Sequence, residues 1–110
     1  MLNELKKEKR KYFENYLKYA RIAKLVVEKE LGEARAFVFG SVVKKQALPS
    51  SDIDLLIVSK NMPKKMSERS KLKAKIWKRI GIFSPFEIHL VDEKEFEWYK
   101  RFIDKKVEVK

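Results

Sequence analysis

Two carboxylates stand at a fixed distance behind a glycine-serine pair in this chain. Gly40-Ser41 is followed by ten residues and then by Asp52-Ile53-Asp54. Residues two apart in a strand share one face, so Asp52 and Asp54 are predicted to project together and to offer the oxygen ligands that Mg²⁺ prefers. Gly40 has no Cβ and lets the backbone approach a phosphate, to which Ser41 adds a hydroxyl and an N–H. The spacing therefore predicts a metal and phosphate site.

Apolar segments flank these residues and predict the strands that position them. Phe37-Val38-Phe39 leads into Gly40, and Leu55-Leu56-Ile57-Val58 follows Asp54. Short apolar runs of this kind are typical of buried strands. The chemistry-bearing residues would thus lie at the end of one strand and the beginning of the next.

The whole chain predicts an α/β fold, a small sheet with helices packed on it. Apolar residues at three- and four-residue steps predict helices, and Gly32 and Gly81 are stop signals for two of them. Pro49-Ser50-Ser51 predicts a turn in the connection between the first two strands. The predicted elements are a helix over 3–31, strands over 35–39 and 53–58, a helix over 64–80, a strand over 86–91, a helix over 93–103 and an edge strand at 107–109.

The composition describes a small protein without cysteine. The chain has 110 residues, of which 45% are hydrophobic. This length predicts a single domain over 1–110, with the Gly-Ser and Asp-x-Asp residues in a core at about 33–92. The absence of thiols excludes disulfides, thiolate metal sites and cysteine nucleophiles. No apolar run reaches the ~20 residues that cross a membrane, and the charged start shows no secretory signal, so we expect a cytoplasmic protein without membrane contact.

The charge is strongly positive. The formal net charge is +11, from 27 Lys and Arg against 16 Asp and Glu. Such a surplus favours polyanionic partners, namely nucleic acid, nucleoside triphosphates or an acidic protein. Proteins of thermophiles also carry many Lys and Glu and few Asn and Gln, so both explanations stay open. The basic residues of the 64–80 helix, Arg69 among them, are spread around it, which favours a solvated face.

The Gly40-Ser41 pair, the ten-residue gap and Asp52-x-Asp54 together resemble the signature of the nucleotidyltransferases of the DNA polymerase beta superfamily. The short chain is similar to the minimal nucleotidyltransferases of archaea and bacteria. The resemblance covers residues 30–92 or thereabouts. It implies the nucleotidyltransferase palm fold, a mixed sheet that carries three carboxylates on adjoining strands. Glu87 matches the third carboxylate, where aspartate is common.

The resemblance also implies a reaction, the transfer of a nucleoside monophosphate from an NTP to an acceptor with release of pyrophosphate. ATP is the expected substrate, and AMP the expected group. Asp52, Asp54 and Glu87 would be catalytic and would hold two Mg²⁺ ions, and Glu87 would help to deprotonate the acceptor hydroxyl. Gly40 and Ser41 would seat the β- and γ-phosphates.

Other interpretations stand beside these roles. Asp52 has the composition of a turn or cap residue, and Glu87 has that of a solvated charge on a half-exposed strand. His89, the sole histidine, shares a face with Glu87; it would contact nucleotide or acceptor, or be a satisfied polar residue on the open face. Lys44 and Lys45 would meet triphosphate oxygens, or be only solvated.

Three functions follow, and they belong to different classes. The first is an active nucleotidyltransferase completed by a homodimer or by a partner, because minimal members are often encoded beside a helical HEPN-domain protein, and some act as antitoxins that adenylylate its tyrosine. The second is a non-catalytic module that neutralises or scaffolds a partner protein. The third, based on charge alone, is a nonspecific nucleic-acid binder. Trp98, beside the apolar face of the last predicted helix, is a candidate interface residue.

Overall fold

The computed structural model describes residues 2–48 and 50–110, with side chains from residue 8 onward. The predicted turn at Pro49-Ser50-Ser51 includes Pro49, which lies outside the described residues. The elements in chain order are α1 Leu2–Glu14, α2 Tyr16–Leu31, β1 Arg35–Phe39, β2 Ile53–Val58, α3 Met66–Ile80, β3 Phe86–Val91, α4 Glu93–Tyr99 and β4 Lys106–Glu108. Within the described chain, no helix is long and apolar enough to cross a membrane.

The four strands form one mixed sheet in the order β3-β2-β1-β4. β1 pairs antiparallel with β2 and with β4, whereas β2 and β3 run parallel. A parallel pair requires a crossover connection, and α3 supplies it. The predicted fold class, α/β with helices packed on a small mixed sheet, is confirmed, and the bounds of the first three strands coincide with the predicted ones.

The sheet buries its two faces unequally. One face packs against the first three helices through Ala36, Val38, Leu55, Ile57 and their neighbours, and holds most of the core. The other face carries Phe37, Leu56, Val58 and Val91 under Phe96 of α4. Because α4 has only seven residues, it covers only part of this second face. Side chains at the uncovered end remain accessible to solvent.

Asn15 divides the segment that was predicted as one helix over 3–31. Its φ of −124° and ψ of 33° leave the helical region, and its side-chain amide donates to the carbonyl of Lys11 at 3.0 Å. Asn is a poor residue for a helix interior because its side chain competes for backbone groups. The prediction of a single helix is therefore corrected to two.

The last helix is also shorter than predicted. α4 ends at Tyr99, and residues after it continue in tight turns in which Phe102 N–H donates to the Tyr99 carbonyl at 2.9 Å. The predicted end at residue 103 reflected the apolar spacing of Tyr99 and Ile103, which both still pack on the second face. The apolar spacing therefore predicted which residues are buried, but not where the helix ends.

Tyr12 holds α1 against the end of α3. Its hydroxyl donates a buried hydrogen bond of 2.9 Å to the carbonyl of Ile80. The next residue, Gly81, has φ +114°, and a Cβ there would collide with the Tyr12 hydroxyl. The stop signal predicted at Gly81 is therefore also a close contact between two helices.

Arg69 corrects the prediction that the basic residues of the 64–80 helix are solvated. Its side chain is 6% exposed and contacts Glu95 Oε1 at 2.9 Å. The same guanidinium donates to the backbone carbonyls of Pro63 at 2.6 Å and Leu90 at 3.0 Å. We call Arg69, Glu95 and these two carbonyls the arginine cluster; it joins α3, β3 and α4. The planar fork of arginine suits donation to several acceptors at once, which lysine could not reproduce.

Candidate functional site

Asp54 and Glu87 are brought together by strand pairing. Asp54 is the second residue of β2, and it pairs with Phe39 on one side and with Glu87 on the other. His89 follows Glu87 by two residues and therefore projects from the same face of β3. One ligand atom from each of Asp54, Glu87 and His89 lies within 4.8 Å of the others. We call these three residues the acid–histidine cluster.

His89 points its Nε2 atom at both carboxylates. Nε2 lies 3.6 Å from Asp54 Oδ1 and 3.9 Å from Glu87 Oε1. The atom is buried and has no hydrogen-bond partner among the described residues. The rings of Phe39 and Tyr99 flank the imidazole, with centroids 5.7 and 5.8 Å away. The nitrogen is therefore held beside two acidic groups without a bond of its own.

Gly40 makes room for the other oxygen of Asp54. Gly40 has φ +85°, and a Cβ built on it would collide with Asp54 Oδ2. Any L side chain there would meet both backbone strain and this carboxylate. Asp54 thus presents Oδ1 toward His89 and Oδ2 toward the backbone that follows β1. The sequence predicted Gly40 for the close approach of a phosphate. In the structure, the Asp54 carboxylate already requires a residue without a Cβ at this position.

Ser41 begins a hydrogen-bonded turn directly after Gly40. The N–H groups of Val43 and Lys44 donate to the carbonyl of Gly40 at 3.2 and 3.3 Å, and that of Gln46 donates to the carbonyl of Ser41 at 2.9 Å. Bonds of this kind orient the first N–H groups of a turn outward, as at a helix beginning, where they are suited to an anion. Ser41 is half-buried, so its side chain is partly accessible to solvent.

The remaining predicted site residues lie outside the cluster. Asp52 is exposed and precedes β2, and its carboxylate is not among the group that converges within 4.8 Å in the described chain. Lys44 is exposed and contacts Asp104 Oδ2 at 3.4 Å. Lys45 is exposed and has a left-handed φ of 58°. Their predicted roles at metal and triphosphate stay predictions.

Exposure differs within the cluster. The side chain of Glu87 is 56% exposed, whereas those of Asp54 and His89 are 25% and 22% exposed.

A small cleft of about 180 Å³ opens beside His89 and Tyr99, between β3 and the first half of α3. Two larger clefts of about 380 Å³ lie elsewhere, one of them at Val58, the opposite end of β2 from Asp54. We place the site by its chemistry and not by cleft size, because the larger clefts lack the converging carboxylates.

The donor set fits a divalent cation. Two carboxylates on paired strands offer oxygen ligands, and an unpartnered buried nitrogen faces them. Sequence reasoning noted that His89 shares a face with Glu87 but did not find that its nitrogen converges on Asp54. The available signal was the two-residue spacing in β3; the register between β2 and β3 supplied the rest.

The chain has relatives among known proteins. The chain matches the model of the nucleotidyltransferase domain over residues 19–108. A crystal structure of a candidate nucleotidyltransferase is 33% identical, has a TM-score of 0.65, and is matched over 79% of this chain and 92% of that one. Another, from Sulfolobus solfataricus, is 24% identical with a TM-score of 0.53, over 83% of this chain and 78% of that one, and shows likeness of fold alone. The comparison with curated proteins finds no match. The chain belongs to the nucleotidyltransferase domain family.

Proposed function

We propose that this chain transfers a nucleoside monophosphate, AMP from ATP in the first instance, to an acceptor hydroxyl. One observation carries the proposal: the Asp54 carboxylate lies between the Gly40 backbone and the Glu87 strand. A triphosphate seated on the turn after β1 would therefore meet the carboxylates at the sheet. Membership of the nucleotidyltransferase domain family supports the reaction class.

The position of each residue indicates its role in binding phosphate or metal. Gly40 and Ser41 bind the β- and γ-phosphates through the backbone and the serine hydroxyl. Asp54 has one oxygen toward that turn and one toward His89, which suits a ligand shared between two ions. Glu87, the most exposed of the three, would complete one ion site and Asp52 the other, once a side-chain rotation brings Asp52 inward.

The reaction is a displacement at the α-phosphorus. The acceptor oxygen forms a bond to the α-phosphorus, the bond to the bridging oxygen of the β-phosphate breaks, and pyrophosphate leaves with that oxygen. The proton of the acceptor hydroxyl passes to Glu87, whose exposed carboxylate can reach an incoming group and return the proton to water. Since the protein contributes no covalent intermediate, alignment and charge neutralisation account for the catalysis.

Mg²⁺ is the proposed ion, two per site, held by Asp52, Asp54 and Glu87. When bound, it neutralises phosphate charge and lowers the pKa of the acceptor hydroxyl. Lys44 and Lys45 would add charge at the triphosphate. For Lys44, this requires release from Asp104, a partner that is 82% exposed and therefore a weak competitor.

A second chain would supply the acceptor and the missing walls of the site. We propose a helical HEPN-type protein as this partner, with the present chain as the antitoxin and a tyrosine hydroxyl as the acceptor; a homodimer is the other arrangement. Trp98 and Phe102 are 56% and 67% exposed and pack against each other in a tilted arrangement beside Tyr99, which flanks His89. Exposed aromatics next to a site are typical of an interface.

Two other functions remain as alternatives. A non-catalytic module that neutralises a partner would use the same aromatic surface, but the unpaired nitrogen and the tight Gly40–Asp54 contact would then have no purpose. A nonspecific nucleic-acid binder would rely on the charge of +11. Its affinity for RNA or DNA would fall steeply with salt.

Calorimetric titration of ATP and the other NTPs, with and without Mg²⁺, tests the proposal. The wild type is compared with Asp52→Asn/Asp54→Asn and with Glu97→Gln, an exposed carboxylate on α4 as the matched control. We expect Mg²⁺-dependent binding that is lost in the double variant and kept in the control. Labelled ATP and the partner protein then test transfer. Partner binding without transfer, unchanged in Asp54→Asn, would establish the non-catalytic module instead.

A further inference from the structure

We propose that His89 is a direct nitrogen ligand of the divalent ion, and that it gives this site a preference for a first-row transition ion such as Mn²⁺ over Mg²⁺. The proposal rests on the proposed function in that it concerns the same metal site. It goes beyond it by replacing an all-oxygen site with one of mixed nitrogen and oxygen ligands.

The separations suit a shared ion better than a direct bond. His89 Nε2 is 3.6 Å from Asp54 Oδ1 and 3.9 Å from Glu87 Oε1. An N–H···O hydrogen bond would require about 2.7–3.2 Å. Two donors at about 2.1 Å from one ion lie about 3.0 Å apart at right angles and about 4.2 Å apart across it. Both measured separations fall between these limits.

The burial of His89 Nε2 indicates that this atom binds a ligand. Nε2 is buried and makes no hydrogen bond within the described chain. An unsatisfied buried polar atom is costly, on the order of 1–3 kcal/mol, and such atoms in native proteins call for a purpose. An ion between Nε2 and the carboxylates would satisfy it.

The aromatic neighbours fix the direction of the imidazole. Phe39 on β1 and Tyr99 on α4 flank the ring at 5.7 and 5.8 Å. The acid–histidine cluster and its two aromatic neighbours therefore come from β1, β2, β3 and α4. A ring held this way keeps Nε2 aimed at Asp54 and Glu87, which lowers the entropy lost when an ion binds.

The ligand chemistry sets the metal preference. Mg²⁺ demands oxygen ligands and loses its waters reluctantly, so an imidazole contributes little to its binding. First-row ions accept imidazole, and Mn²⁺ also suits carboxylates. Replacement of one oxygen by Nε2 should therefore raise Mn²⁺ affinity relative to Mg²⁺.

Pulsed electron paramagnetic resonance on the untagged protein with Mn²⁺ alone tests the bond. The chain contains one histidine, so any imidazole ¹⁴N coupling to bound Mn²⁺ comes from His89. We expect that coupling in the wild type and its loss in His89→Phe, which keeps a ring between Phe39 and Tyr99. Tyr99→Phe is the matched control and should keep the coupling.

Affinities give a second, independent readout. We expect Mn²⁺ to bind the wild type about tenfold or more tightly than Mg²⁺, and His89→Phe to lose about tenfold in Mn²⁺ affinity with a smaller loss for Mg²⁺. His89→Gln, which restores an oxygen, should bind both ions with little discrimination. Circular dichroism checks that each variant is folded.

Failure of this inference is distinguishable from failure of the proposed function. Mn²⁺ that binds without ¹⁴N coupling would overturn His89 as a ligand and leave a carboxylate site intact. Equal losses for both ions in His89→Phe would do the same, with His89 as a packing residue. No binding of either ion, with or without ATP, would overturn both proposals.

Discussion

The arginine cluster and the acid–histidine cluster are both charged groups at β3, but only one is complete. Arg69 is 6% exposed, and its guanidinium donates to Glu95 and to two backbone carbonyls. In the acid–histidine cluster, Asp54 and Glu87 lie side by side, and the buried Nε2 of His89 makes no hydrogen bond in the described chain. The first group is satisfied within the protein; the second requires something from outside.

This difference separates structural charge from functional charge. A buried charge with a full set of partners stabilises the junction of the elements that it joins, and its loss leaves its partners unpaired. Adjacent acidic groups without a cation repel each other and weaken the fold. Substitution should therefore affect the two clusters in opposite ways.

Asp54→Asn should have the largest effect and should fall on activity alone. We expect nucleotidyl transfer to fall by about 1000-fold, equivalent to about 4 kcal/mol of transition-state stabilisation, because the shared oxygen ligand is lost. Chemical denaturation should show a stability equal to or above that of the wild type, since an acidic neighbour of Glu87 is removed. Loss of activity through unfolding alone would contradict the distinction between the two clusters.

Arg69→Met should produce the reverse result. Loss of the guanidinium leaves the carbonyls of Pro63 and Leu90 without a donor, and we expect a loss of about 3 kcal/mol of folding free energy. Metal binding by the folded fraction should be unchanged. Urea unfolding and Mn²⁺ titration on the same sample measure the two effects; weaker metal binding in folded protein would show that the clusters are coupled.

Gly40→Ala should combine backbone strain with weaker binding at the site. At φ +85° the added Cβ would also meet Asp54 Oδ2, so we expect about 1–2 kcal/mol of destabilisation and weakened metal and ATP binding. Gly81→Ala is the matched control, because Gly81 has φ +114° and its Cβ would meet the Tyr12 hydroxyl. Thermal unfolding should show a loss of stability in both variants. Titration calorimetry should show weaker metal and ATP binding only in Gly40→Ala.

The weakest effect should be on the pH dependence of stability, and it concerns Asp92, which lies outside the acid–histidine cluster. The backbone N–H of Glu95 donates to Asp92 at the beginning of α4, and with Lys64 it lowers the pKa of Asp92 below its ordinary value of 3.8. At pH values above the ordinary pKa of Asp92, its lowered pKa stabilises the fold. This stability is lost as the pH falls through the lowered pKa. Asp92→Asn keeps an oxygen acceptor and should flatten the acid limb of stability, as measured by urea unfolding from pH 5 to 2. An unchanged slope would assign that limb to other carboxylates.

Short-range patterns predicted the strands and the mixed α/β class well. The apolar runs before Gly40 and after Asp54 coincide with β1 and β2, because buried strands need continuous apolar residues. Helix ends were harder. Asn15 interrupts the first predicted helix and Tyr99 ends the last one early, since apolar spacing reports which residues are buried and not where backbone hydrogen bonding changes.

The site shows the same division. The two-residue spacing placed Glu87 and His89 on one face, and the local pattern identified Asp54 and Gly40. Arg69 was mistaken for a solvated residue, because its partners lie 6, 21 and 26 residues away in the chain. Burial of a charge depends on such distant groups, which local periodicity does not record.

Residue types and local spacing are enough to specify the candidate chemistry of this protein: a phosphate-suited Gly-Ser turn, an Asp pair and a third carboxylate. Which of these residues meet depends on how the strands pair and the helices pack. The parallel register of β2 and β3 sets Asp54 beside Glu87, and α4 with β1 aims His89 at both, whereas Asp52 lies outside the group. The reason is physical: covalent spacing governs neighbours along a strand, but strand pairing and packing govern which strands become neighbours.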